Sequence, residues 1–277
     1  MDWNKSNSIL IIAFIVLNIF LLLATFSNVF SDNSNTVIIG DFKENVESIL
    51  KNKNINIKCE IPKDIYLLPV LETEYDMIEI NNEFLQNYLG KGIEAQEDVF
   101  IYSNDKNQIL EIVNNKKIVY TIRNKVSGEI KDEEYINKLI NSFIIDKNLN
   151  NDGFYESNRF ISNDGGCIRY TEKYNEYFMD NSYMCFYVDK DGIYKFEMQR
   201  VNSVMEIKDK IKTIPAIEAL PRIITYDNIK NKDITDIKMT YYCTEDENWS
   251  YIERTNSDPT WKVIFNDGTE LHLPSQD

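Results

Sequence analysis

The chain has 277 residues, of which 43% are hydrophobic and 12% aromatic, with 45 acidic side chains against 30 basic ones and a formal net charge of −15. That apolar content supports a packed core and excludes a wholly disordered polar chain. Removing residues 1–40, which carry only Asp2, Asp32 and Lys5, leaves the acid excess almost unchanged. Nucleic acid and anionic membrane surfaces are therefore poor partners, because Coulomb and counterion contributions both oppose them.

The first predicted element is a membrane-spanning helix. Behind the polar head MDWNKSNS, Ile9 to Phe30 form a nearly unbroken apolar run. As a helix, Ile9 to Phe26 covers roughly 27 Å and the run to Phe30 roughly 33 Å, the thickness of a bilayer core. Lys5 and the terminal amine precede the run, and no Lys or Arg follows until Lys43. The positive-inside bias then puts residues 1–8 in the cytoplasm and everything after Phe30 outside the cell membrane. A cleaved signal peptide is the rival reading. It expects a shorter apolar region and a small-x-small site, which Thr25-Phe26-Ser27 and Val29-Phe30-Ser31 meet poorly.

Residues 31–40 read as a polar linker. Asp41 is placed to cap a short helix through about Asn52, with Phe42, Val46, Ile49 and Leu50 on one face. A strand-like segment follows at 55–58, Pro62 and Pro69 bracket an extended stretch, and Ile80 to Leu89 reads as a helix stopped by Gly90. From Val99 to Arg123 the pattern turns to strands separated by Asn-Asp and Asn-Asn turns. Residues 131–145 return to helical spacing, with Tyr135, Ile136, Leu139, Ile140 and Phe143 facing inward.

The second half repeats the order. Strands are predicted at 167–171, 182–188 and 193–198, the last pair joined by a tight turn at Asp191-Gly192. A helix is predicted at 206–220, ended by Pro221, and strands at 234–243 and 261–265 precede an AsnAspGly turn into a last strand that carries His272. The fold class is therefore α+β: a transmembrane helix at 9–30, then a first extracellular unit at 41–152 and a second at 153–277, both with antiparallel sheets. The boundary between them is set at the loop-like AsnAspGly of 151–153.

Cys59, Cys167, Cys185 and Cys243 allow three sets of two disulfides. Cys167 and Cys185 flank a candidate hairpin, yet no CxxC signature is present and a domain of this size does not need staples, so four reduced thiols are the favoured state. With His272 the single histidine, no zinc site and no metal centre is written in the chain. Ser48-Ile-Leu-Lys51 satisfies SxxK without its companion motifs, on a predicted amphipathic helix. Asn148-x-Asn150-x-Asp152-Gly153 imitates the start of a calcium loop, but its twelfth position is Arg159 where a bidentate Glu is needed. No catalytic residue and no cofactor site is assigned, and His272 is given a structural role.

Two stretches carry a family resemblance. MDWNKSNSI at 1–9, running into LNIFLL at 17–22, resembles the opening of YycI (WalI) proteins, and DPTWKVIFNDG at 258–268 resembles that family's C-terminal strand and turn. A ProValLeu segment at 69–71 and the one-pass layout agree. The resemblance implies ectodomain units of the YycH and PepSY kind and no enzymatic activity. It also implies a membrane-anchored regulator of the Wal (YycFG) two-component system. Its partners would be a YycH-like protein and a WalK/YycG-like sensor kinase, and contacts among transmembrane helices would set kinase activity.

On that footing the span becomes the expected partner-binding element. Asn18 is its one strongly polar side chain at mid-depth, with Ala13, Leu17, Leu21 and Ala24 flanking it at helical spacing. A partner helix would stabilise its amide by about 0.6–2 kcal/mol. The bland alternative is that Asn18 bonds its own helix backbone. Trp3 is either a recognition element or an interfacial anchor. Two other functions stay open: an extracytoplasmic module that binds a peptide or other ligand, and an exported enzyme whose site no motif reveals. Tyr241, Tyr242, Trp249 and Tyr251 are read as interface or core, with Trp249 and Tyr251 the candidates for loop-borne contacts.

Overall fold

The computed structural model describes residues 32–95, 100–130, 132–243 and 253–276, without the side chains of 32–41, 208 and 209. Two compact units are distinguished, residues 1–49 and Leu50–Asp277. The described part of the first is helix α1 (Asp32–Lys51), whose last two residues belong to the second. This corrects the expected linker at 31–40 and the Asp41 cap, because the chain is helical from Asp32 and Asp41 lies well inside the helix. The apolar spacing of Ile38, Phe42, Val46 and Ile49 starts a turn ahead of Asp41, and an apolar face that continues outweighs one residue's capping preference. Lys43 and Glu47 pair at i, i+4 on this helix. Among the described residues no helix is long and apolar enough to cross a membrane, and the predicted span at 9–30 lies outside them.

The second unit is built on a 14-stranded, mostly antiparallel sheet. In chain order its elements are β1 (Asn56–Ile57), β2 (Leu67–Tyr75), α2 (Asn82–Leu89), β3 (Glu94–Ala95), β4 (Ile101–Ser103), β5 (Ile109–Val113), β6 (Lys117–Thr121) and α3 (Glu133–Asp146). Then come β7 (Phe154–Ser162), β8 (Gly165–Tyr174), β9 (Tyr177–Asp189), β10 (Gly192–Gln199), β11 (Val201–Lys212), α4 (Ala216–Ala219) and a 3-10 turn at Leu220–Thr225. β12 (Asp233–Tyr242), β13 (Arg254–Phe265) and β14 (Glu270–Pro274) finish the chain. The main path runs β11-β2-β13-β12-β9-β10-β6-β5-β4-β3, with β14 beside β13, and β8 beside β9 carrying β7. The class is α+β, with far more strand than helix, as expected.

One face of the sheet is packed by α2 and α3. Leu110 and Ile112 of β5, Ile118 and Tyr120 of β6, Phe196 of β10, Met184, Phe186 and Val188 of β9 and Ile168 of β8 meet Leu85, Tyr88, Ile136, Ile140 and Phe143. Phe143 is the hub, its ring centroid 5.0 Å from Phe196 and 5.8 Å from Phe186. Both helices carry the caps their sequences promise. The Asn81 side chain accepts from Phe84 N and that of Asp132 from Tyr135 N, while Gly90 ends α2 at φ 72. The β5–β6 hairpin turns through Asn114 and Asn115, both with left-handed φ, as a tight primed turn requires.

Three further expectations are corrected. The helix predicted at 206–220 is strand β11, antiparallel to β2, as far as Lys212, and only Ala216–Ala219 and the following 3-10 turn are helical. Ile207, Ile211 and Ile214 have helical spacing, but pairing with β2 overrides that local pattern, with a register shift between Glu206 and Lys210. Pro221, expected to end the helix, stands in the first turn of the 3-10 segment, where a missing N–H costs nothing. Pro69 lies inside β2 instead of bounding it. It is tolerated because β13 pairs β2 only from Leu71 to Glu74, so at Pro69 the strand has a neighbour on one side only. The expected boundary at 152/153 does not interrupt the sheet, since β6 from before it pairs with β10 from after it over Lys117–Thr121.

Candidate functional site: a charged cleft opposite the helices

Strand alternation that sends Met184, Phe186 and Val188 into the core sends Tyr183, Cys185 and Tyr187 to the other face. Register extends this into three rows across β6, β10, β9 and β8. Lys117, Gln199, Tyr183 and Thr171 stand in the first, Val119, Glu197, Cys185 and Arg169 in the second, and Thr121, Lys195, Tyr187 and Cys167 in the third. Cys167 and Cys185 are diagonal neighbours with Cα atoms 6.5 Å apart and form a disulfide. The reading of four reduced thiols is thus corrected. The linear spacing of these cysteines held no CxxC, but cross-strand register brings them within bonding reach. Cys59 is a half-buried thiol, and Cys243 is buried with its sulfur 2.9 Å from Thr255 Oγ1.

Charges on this face are paired both along a strand and diagonally between strands. Glu197 sits between Lys195 at 2.6 Å and Lys117 at 3.0 Å. Burial alone would raise its carboxyl pKa, yet the two ammonium groups hold it below the ordinary value. The Arg169 guanidinium lies over the Tyr183 ring, 3.8 Å from its centroid, and Arg169 Nη2 donates to Asp180 O at 2.8 Å.

A second wall comes from β7, β13 and β14. Lys262, fully buried, sits between Asp180 Oδ1 at 3.1 Å and Glu270 Oε2 at 2.8 Å. His272 Nε2 donates to Asp180 Oδ2 at 2.6 Å, and its ring stacks on Tyr242 at 3.8 Å. Asn158 of β7 donates to Glu270 Oε1 at 2.8 Å, and Arg169 Nε lies 3.7 Å from Glu270 Oε2. Burial pushes the Asp180 and Glu270 carboxyls up, but Lys262, helped at Asp180 by the His272 hydrogen bond and at both by Arg169, holds both below the usual range. The β13–β14 turn closes this wall against Phe160, where a Cβ on Gly268 would fall 2.7 Å from the Phe160 ring.

Between the two walls lies a cleft of about 690 Å³ lined by Arg169, Asp180, Tyr183, Gln199, Glu270 and His272 among others. Its size suits a small polar ligand. Among the described residues no group of three or more His, Cys, Asp or Glu is placed to hold a metal ion. The calcium-loop imitation is a plain turn into β7, where Asn150 Oδ1 accepts from Asp152 N and Arg159 pairs with Glu156.

The residues singled out in the span, Trp3, Ala13, Leu17, Asn18, Leu21 and Ala24, lie outside the described residues, as do Trp249 and Tyr251. Tyr241 is buried core, packed with Leu71 and Met179. The cleft residues were missed because their charges look like a solvated strand face. One signal was present: Lys262 interrupts the otherwise apolar run Trp261-Lys-Val-Ile-Phe265, and Glu270 and His272 share the parity of one strand face.

A family model described as YycI protein matches residues 33–272. The chain belongs to the YycI family. Its C-terminal motif at 258–268 is therefore the β13 segment that supplies Lys262 and the turn that closes the cleft. A search of curated proteins finds no match. Among solved structures, YycH from Bacillus subtilis is similar at 12% identity and a TM-score of 0.48, covering 77% of this YycI chain and 56% of its own. An uncharacterized protein from Eubacterium rectale ATCC 33656 is similar at 10% identity and a TM-score of 0.43, with 83% and 94% covered. The Bacillus megaterium YpeB C-terminal domain follows at 10% identity and a TM-score of 0.35, with 71% and 99% covered. This chain thus spans little more than half the length of the YycH chain it matches.

Proposed function

We propose that this YycI-family chain is a non-enzymatic, membrane-anchored regulator of the Wal two-component system. It acts on a WalK/YycG-like sensor kinase together with a YycH-like partner, through contacts of its N-terminal span and its extracellular sheet domain. Family membership over residues 33–272 carries the reading. The apolar run Ile9 to Phe30 supports the anchor, because its length fits a bilayer and its flanking charge fits an inside tail. In this reading Asn18 and its neighbours on the stripe, Ala13, Leu17, Leu21 and Ala24, meet a partner helix, and Trp3 sits at the inner interface. A kinase is shifted only by a contact that differs between its two states, so the span must bind one state better.

The test is a detergent-solubilised pull-down of the full-length chain beside a version whose Ile9 to Phe30 is replaced by an unrelated span. Recovery of a sensor kinase and a YycH-like protein with the native span alone is the expected result. Recovery with both moves the contact to the extracellular domain, and recovery with neither overturns the regulator reading. Asn18→Leu should change Wal-dependent output at normal membrane levels, and unchanged output would remove the helix contact from the mechanism.

A further inference from the structure

Taken atom by atom, the buried charges behind the cleft wall are arranged for a reaction. The side chains of Lys262 and Asp180 are both fully buried, with Nζ 3.1 Å from Oδ1, so neither has solvent to turn into. The other carboxylate oxygen of Asp180, Oδ2, is held by His272 Nε2 at 2.6 Å. Glu270 Oε2 lies 2.8 Å from the same Nζ, while Glu270 Oε1 accepts from Asn158 at 2.8 Å. An amine nucleophile, a carboxyl carbon, a donor on the oxygen that would stay and a second carboxylate that can carry protons are thus fixed in one place.

Burial sets the energetics. Two opposite charges taken out of water carry a desolvation cost that their mutual attraction repays only in part. Condensing the ammonium and the carboxylate to a neutral amide removes that cost. In dilute solution water reverses such a condensation, but groups held in contact react at effective concentrations of about 10⁵–10⁸ M, and here both partners are shut away from bulk water.

We propose that Lys262 and Asp180 join in an intramolecular amide, with Glu270 as the proton carrier and His272 as the donor that holds the developing oxyanion. Glu270 takes a proton from the Lys262 ammonium and passes it to Asp180 Oδ1. The free amine attacks Asp180 Cγ, and negative charge builds on Oδ2 against His272. The nitrogen gives up a second proton through the same carboxylate, and Oδ1 departs as water. One N–H remains on the new amide, Oδ2 becomes its carbonyl oxygen, and Glu270 ends as the carboxylate it was at the start. The summed charge of the three side chains is the same before and after, and nothing is oxidised or reduced. The newly folded chain carries the ion pairs described above, and these are the reactants. The finished bond would staple β9 to β13 across 82 positions of sequence. This goes beyond the regulator reading and does not depend on it, so loss of the kinase pull-down leaves it standing.

The experiment is an intact-mass measurement of the full-length protein, extracted in detergent and reduced so that the Cys167–Cys185 bond does not contribute, beside Lys262→Met and Glu270→Gln. The wild-type chain is expected to weigh one water less than its sequence requires, and proteolysis should release a branched peptide that joins the segments of Asp180 and Lys262. Lys262→Met and Glu270→Gln should each have the full mass of their sequences and give no branched peptide. A wild-type chain of full sequence mass, or a lost water without that branched peptide, overturns the proposal and requires no variant to fold. A branched peptide that persists in Glu270→Gln overturns the part assigned to Glu270.

Discussion

Replacing Lys262 by Met tests whether the cleft wall is held by charge. Lys262 is fully buried with Asp180 and Glu270 on either side, and their side chains are 0% and 14% exposed. Methionine fills a similar volume but leaves the two buried carboxylates with Arg169, His272 and the Asn158 amide and without the ammonium between them. Removing one partner of a buried ion pair costs about 3–5 kcal/mol, and at about 2–4 °C per kcal/mol for a unit of this size the midpoint should fall by about 6–20 °C. The pH dependence identifies the cause. In the native protein the Asp180 pKa is depressed, so its contribution is fully present above the unfolded value of about 3.9 and is lost only as pH falls through the folded value. Without Lys262, burial prevails and raises the folded pKa above the unfolded one, so the variant gains stability as pH falls from 8 to 5. The deficit should narrow by about 1–3 kcal/mol over that range. Urea titrations of the full-length protein at both pH values measure it, with Lys138→Met as control, since that exposed i, i+4 pair with Glu134 should cost less than about 0.5 kcal/mol. A deficit under 1 kcal/mol, or one that does not change with pH, would refute the argument.

Other consequences can be measured on the same protein. Reducing the Cys167–Cys185 bond, or replacing both residues by Ser, should cost about 3 kcal/mol through the loop it closes, and unchanged denaturation with and without reductant would count against the bond. Phe143→Ala should cost about 3–5 kcal/mol because four aromatic rings and the α3 packing meet there; a midpoint within error of wild type would show that the core collapses to fill the space. Asn115→Gly should be neutral within about 0.5 kcal/mol, whereas Asn115→Val should destabilise the β5–β6 hairpin by about 1–2 kcal/mol, read by denaturation. Equal effects would mean that the turn, not its left-handed residue, is expendable.

Hairpins and long helices were legible wherever a local rule sufficed. The Asn-Asn and Asp-Gly turns, the Gly90 stop and the inward spacing of Ile136, Ile140 and Phe143 all act over a few residues. Strand β11 was not legible, because its helical spacing is a local preference overruled by β2, more than a hundred residues earlier in the chain. The cleft was hidden for the same reason at a larger scale. Arg169, Asp180, Lys262, Glu270 and His272 each look like one charge on one strand, and only sheet order makes them neighbours. Asp180 and Lys262 meet across 82 positions of sequence.

Among the described residues, every non-glycine position with a left-handed backbone is an asparagine: Asn54, Asn107, Asn114, Asn115, Asn148, Asn175 and Asn231. Glycine would serve the same geometry, but each one would give the unfolded chain more freedom, at about 0.4–1 kcal/mol. The chain thus limits its disordered alternatives at its turns with a residue that carries no charge, while its acidic surface provides solubility. None of the seven is followed by glycine, the neighbour that most readily allows an asparagine side chain to be attacked by the next backbone nitrogen. The sequence around these turns is in this way kept from the readiest route by which asparagine ages into aspartate.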